Sequence, residues 1–223
     1  MAAGRLLHAE LAVAVPRRPA ELDLRDDRWA SAERFAFDEA AMVDSAPKEP
    51  RLRNLVRRLA GRLTGTGLGA EQLVPADLAG NVLLDAHGSP VVIDLSPAWR
   101  PPRWAEAVCA LDAVLWHGAP AGALARWRSE AEVDALVRAA PFRLLRDDPP
   151  DVDAYARVLA PLCCELTPVG VIPGPPSSTR WRRWRVGCAR AHMDGRMTCP
   201  GVRNDMQFGR LARVLHCFTR RVV

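Results

Sequence analysis

Apolar positions along this chain recur mainly at helical spacing, with one interruption by strand-like runs. Residues 3–15 are apolar and rich in alanine, and residues 29–43 form a second helical stretch with Phe35, Phe37 and Met42 as core positions. The segment SAPKEP at 45–50 breaks the chain with two prolines. RLRNLVRRLAGRL then sets Leu52, Leu55, Val56, Leu59 and Leu63 on one face and arginines on the other, which predicts an amphipathic helix with a solvated basic side. TGTGLG at 64–69 reads as a loop. A phosphate cradle would need a strand before it and a helix start behind it, and here a helix precedes it.

Residues 81–95, NVLLDAHGSPVVIDL, place two apolar, β-branched runs around Ala86-His87-Gly88-Ser89, a hairpin signal. Helical patterns resume at 103–117, 121–139 and 151–166; the last holds Pro161, which predicts a kink or break. Asp151 and Asp153 follow Pro149-Pro150, where carboxylates meet the positive end of a helix. The fold class is therefore mainly α with a small β-hairpin. His8, His87 and His117 have no evident partner set in the sequence and read as structural or exposed.

Charge changes the picture of the C-terminal part. The net charge is +5, but residues 1–176 carry −4 and residues 177–223 carry +9. Basicity thus points to nucleic acid or an anionic surface only through the tail. Residues 167–179 are rich in Pro, Gly and Ser and read as a linker, and residues 180–223 as a basic, disordered tail with one possible helix at 206–218. In that tail Trp181 and Trp184 stand among Arg180, Arg182, Arg183 and Arg185, a pattern able to stack on bases or meet anionic lipid. Cys188, His192, Cys199, His216 and Cys217 match no zinc-ligand spacing. The six cysteines read as free thiols, and Cys163-Cys164 as helix packing. No apolar run is long enough to span a bilayer, and Glu10 interrupts the apolar start. The expectation is an ordinary first helix and a cytoplasmic protein.

The chemistry sits in PADLAGNVLLDAHGSPVVIDLSPAWRPP. Phosphoryl transfer needs a carboxylate to accept the hydroxyl proton, and oxygen ligands to hold Mg²⁺ against the phosphates. A hairpin can bring such groups to one end: Asp77 precedes it, Asn81 opens its first strand, and Asp94 lies near the end of its second. These three residues resemble the catalytic-loop Asp and Asn and the metal-binding Asp of the protein-kinase-like superfamily. The most similar branch is that of aminoglycoside phosphotransferases and choline kinases, whose loop reads roughly H-G-D-x-x-x-x-N followed by I-D. Ser96-Pro97, Trp99-Arg100-Pro101-Pro102 and the helix behind them resemble an uncharacterised actinobacterial branch of it. The resemblance spans 1–166 loosely and 73–117 well. It implies a kinase-like C-lobe over 1–166 with a catalytic hairpin at 73–102, Asp77 as base, Asn81 and Asp94 on Mg²⁺, and ATP as phosphoryl donor to a small-molecule hydroxyl.

The chain departs from the family in three places around the site. Pro75-Ala76 stands where the family has His-Gly, Asp77 and Asn81 are four positions apart instead of five, and Leu95 replaces a frequent tryptophan. Upstream, the stretch before Asp77 reads as helices and loops, and the single lysine, Lys48, lies between prolines in a turn. The β-rich N-lobe and the strand lysine that grips the phosphates are accordingly read as missing. The expected function is that of a phosphotransferase-like protein, incomplete or inactive as this chain. The alternative is a non-catalytic, pseudokinase-like binding module whose Arg/Trp tail contacts an anionic partner.

Overall fold

A computed structural model describes residues 2–44 and 47–163, which belong to one unit within Met1–Thr167. The linker at 167–179, the tail at 180–223 with its Cys, His, Trp and helix expectations, Cys164 and the side chain of Cys163 lie outside the described residues. Seven α-helices are described: α1 (Ala2–Ala14), α2 (Arg28–Phe37), α3 (Glu39–Asp44), α4 (Pro50–Ala60), α5 (Pro102–Trp116), α6 (Glu130–Arg146) and α7 (Val152–Cys163). Four short strands lie between α4 and α5: β1 (Gln72–Pro75), β2 (Val82–Leu84), β3 (Pro90–Val92) and β4 (Pro97–Arg100). The described protein is mainly helical with two small antiparallel sheets.

The long helix expected over 29–43 is two helices. Asp38 takes an extended conformation at the join, and its carboxylate accepts the Ala41 N–H at 2.9 Å, starting α3 afresh. Phe37 ends α2 edge-on to Trp104, 5.5 Å between ring centroids, with the Arg100 guanidinium 4.1 Å above its face. Met42 is fully buried as expected, while Phe35 and Phe37 are only partly so. The expected helix at 121–139 is likewise interrupted. Ala121–Arg126 is a 3-10 turn, and Ser129 with Glu132 forms a reciprocal capping box that begins α6 at Glu130. That helix runs through Pro141 to Arg146.

In α4, Leu52, Leu55, Val56 and Leu59 are buried, as their spacing requires; Leu63 lies beyond the helix end and packs on the same core. The core is the meeting of α2, α4, α5, α6 and α7, with Trp104 wholly buried between Phe37 and Phe142. The glycine loop at 64–69 is tied to α6: Thr64 donates from its backbone N–H to buried Asp134 at 2.9 Å, and the Thr66 hydroxyl donates to Glu130 at 2.8 Å. Those bonds give the loop a structural role. No described helix is long and apolar enough to cross a membrane.

Candidate active site

The hairpin expected from the sequence is β2–β3, with Leu83 opposite Val91 and Val82 opposite Val92. Its turn is built by Asp85, whose carboxylate accepts the His87 and Ser89 N–H groups at 2.8 Å each, and Gly88 takes φ 79°. The strand pairing around it was not expected. β1 and β4 form a second ladder, Leu73 opposite Trp99 and Val74 opposite Ala98, so the hairpin is nested inside another antiparallel pair. Leu73, Val74 and Ala98 are buried, whereas Leu83, Leu84 and Val91 of the inner hairpin, and Ile93 just after it, are exposed.

Nesting leaves two short connections between the ladders, residues 76–81 on the way out and 93–96 on the way back. Asp77 and Asn81 lie on the first and Asp94 on the second. The connections are held together at both ends: Ala76 N–H donates to the Ser96 carbonyl at 2.8 Å, and Ile93 N–H to the Asn81 carbonyl at 3.0 Å. The Asn81 side chain donates through Nδ2 to the Asp77 carbonyl at 2.7 Å, which closes the first connection into a compact loop. Its amide oxygen accepts no hydrogen bond among the described residues. Asp94 is exposed, and one carboxylate oxygen accepts the N–H of Leu95 at 2.8 Å.

Between them, Gly80 adopts φ 84° against the His117 ring; a Cβ there would stand 2.7 Å from Cε1 of that ring. An alanine meets both a left-handed backbone and a steric clash. Gly80→Ala should lower stability by roughly 1–3 kcal/mol, read from denaturant melts. In a His117→Ala background the same change should cost less, because the clash is gone and only the backbone strain remains. Equal costs in the two backgrounds would show that the ring does not brace this loop.

The Asp77 carboxylate is not free. Arg143 donates to its Oδ1 at 2.8 Å, and Arg146 stands 3.6 Å from Oδ2. Arg143 also donates from the same nitrogen to Asp112, in a pair almost wholly withdrawn from water. Arg146 continues to Asp147 at 3.4 Å, which accepts the Tyr155 hydroxyl at 2.9 Å, and its guanidinium lies 4.2 Å over Trp29. One polar chain therefore ties the Asp77 loop to α5, α6 and the start of α7. Burial pushes the Asp112 carboxyl up to about 6, against the opposing pull of Arg143. Burial together with the Asp147 carboxylate raises the Tyr155 phenol above its usual range. Asp112 Oδ1 and Arg143 Nε and Nη1 are buried without a partner among the described residues.

None of Asp112, Arg143, Arg146 or His117 was expected at the site. Two signals were present: Asp112 is a lone charge within the apolar run Val108–Leu115, and Arg143 interrupts Pro141-Phe142-Arg143-Leu144-Leu145. Charges so placed on helices must either snorkel or find a buried partner. The sequence could not show which partner. Among the described residues no group of three His, Cys, Asp or Glu is placed to hold a metal ion. Asn81 and Asp94 offer one amide oxygen and one carboxylate. That pair is too small for a cation held by protein alone; a Mg²⁺ there would need phosphate oxygens and waters for its remaining ligands.

No protein-family model, curated protein or solved structure matches this chain.

Proposed function

We propose that residues 1–166 form a phosphotransferase-like lobe of small-molecule-kinase descent that, as this chain, transfers phosphate weakly or not at all. The observation that carries this reading is the nested pair of ladders, with Asp77 and Asn81 on one connection and Asp94 on the other, the two bonded side by side. In that layout Asp77 would take the proton of an acceptor hydroxyl, while Asn81 through its amide oxygen and Asp94 would hold a Mg²⁺ bound to ATP phosphates. The metal's part is to neutralise charge on the transferred group. An ATP-dependent reaction of that kind would call for a cytoplasmic protein.

Two observations favour silence. Asp77 is engaged by Arg143 and Arg146, so a hydroxyl must compete with two guanidiniums for it. Lys48 sits in an exposed turn ahead of α4, where its carbonyl accepts from Arg53, and no described strand carries a lysine to grip phosphates. The same facts support the second reading, a pseudokinase-like binding module that keeps the scaffold and has turned Asp77 to structural use.

The test is a thermal melt with and without ATP, each with and without Mg²⁺. A ligand at a thousandfold excess over its Kd stabilises the native state by about 4 kcal/mol. The expected result is no Mg²⁺-dependent rise. A robust Mg²⁺-dependent rise that disappears in Asp94→Ala would establish a working nucleotide site and overturn the silent assignment.

A further inference from the structure

A concavity of about 690 Å³ shares no lining residue with Asp77, Asn81 or Asp94. Its size is that of a small-molecule site, which typically runs to roughly 300–1,000 Å³. The first half of α5 forms one side of it; α1, the loop at Leu68-Gly69-Ala70, and the 3-10 turn with Trp127 supply the others. Three guanidinium groups line it, and they differ in how they are engaged. Arg5 is held by both oxygens of Glu106, at 2.8 and 3.0 Å. Arg103 and Arg126 make no hydrogen bond or ion pair among the described residues.

Both acids in the lining are already committed. Glu106 holds Arg5, and one oxygen of Glu132 accepts the backbone N–H groups of Arg128 and Ser129 at 3.0 Å and the Ser129 hydroxyl at 2.8 Å. Those hydrogen bonds hold the Glu132 carboxyl below the usual range, and Arg103 acts on it only through space. Two cations that make no hydrogen bond or ion pair among the described residues, Arg103 and Arg126, and a half-buried indole, Trp127, thus line one concave space, with the Glu132 charge drawing on Arg103 through space. A guanidinium fork matches the paired oxygens of a phosphate or carboxylate, and an indole face favours a planar ring.

The geometry points to a binding site for a small organic anion, an aryl phosphate in chemical class, with its oxyanion between Arg103 and Arg126 and its ring on Trp127. This site is independent of the phosphotransfer layout. Titration calorimetry on the full chain tests it with phenyl phosphate, inorganic phosphate and benzoate. Phenyl phosphate should bind at millimolar concentration or below, inorganic phosphate more weakly for want of a ring, and benzoate more weakly for want of the second charge. Arg103→Ala and Arg126→Ala should each weaken phenyl phosphate by about tenfold, the loss of one charge-assisted contact. Both side chains are exposed and unbonded, so the variants should melt as the wild type does. Asp94→Ala should leave the affinity unchanged. No measurable heat with phenyl phosphate, binding that survives the double arginine variant, binding lost in Asp94→Ala, or a preference for benzoate would each overturn the assignment.

Discussion

Arg143→Ala should destabilise the protein by roughly 3–5 kcal/mol, the usual cost of removing one partner from a buried ion pair. The side chain is 1% exposed, and a single terminal nitrogen serves both Asp77 and Asp112. Without it, Asp112 is a buried carboxylate that no guanidinium hydrogen-bonds, left with only the more distant charge of Arg146, and Asp77 keeps only the longer contact to Arg146. The cost should depend on pH with a definite sign. Asp112 titrates in the native state near 6, above its ordinary range, so it favours the native state at low pH. That contribution is fully present below the unfolded value and is lost as pH rises through about 6.

In Arg143→Ala the carboxyl can remain neutral at pH 5 but must ionise unpaired, or hold its proton at a cost, at pH 8. The gap between wild type and variant should therefore be wider at pH 8 than at pH 5, as urea melts at the two values would reveal. A gap that does not change with pH would mean that Asp112 is not the group left stranded. Arg143→Met with Asp112→Leu should recover much of the loss, since apolar replacement of a whole buried pair is often neutral.

Trp104→Ala should cost about 3–5 kcal/mol, as expected for an aromatic side chain deleted from a packed core. Trp104 stands in the first turn of α5 and is wholly buried. It makes edge contacts with Phe37 and Phe142, at 5.5 and 5.0 Å between centroids, and so joins α2, α5 and α6. Those helices position Asp112 and Arg143, and loosening them loosens the Asp77 loop. Trp104→Phe should cost far less, on the order of 1 kcal/mol, because the indole N–H meets no partner among the described residues. Chemical denaturation of both variants gives the comparison. A phenylalanine variant as unstable as the alanine one would show that the indole nitrogen makes a contact the packing does not account for.

Much of the secondary structure follows from local rules and was legible in the residues alone. The apolar face of α4, the turn made by Asp85 and Gly88, and the start of α7 behind Asp151 all depend on neighbours within a few positions. The Asp151 carboxylate, for instance, accepts the Ala154 N–H at 2.9 Å. The helix breaks at Asp38 and Ser129 were also local, since each residue caps the helix that follows it. Apolar periodicity alone ran through both, because it weighs side-chain burial and not the hydrogen bond that begins a new helix.

What the sequence by itself determined is the mainly helical character and one hairpin, β2–β3, with Asp77 and Asn81 before it and Asp94 after it. What only the tertiary structure decided is how those residues are used. The β1–β4 ladder pairs positions from Gln72 to Arg100, and strands so short carry too little local signal to announce a partner across the hairpin between them. Arg143 lies 66 positions from Asp77 and 31 from Asp112, yet one of its nitrogens binds both carboxylates. An ion pair of that separation leaves no periodicity in the chain; it exists because the packing of α5 and α6 withdraws Asp112 and Arg143 from water together and brings Arg143 against the partly exposed Asp77, and buried charges must find partners.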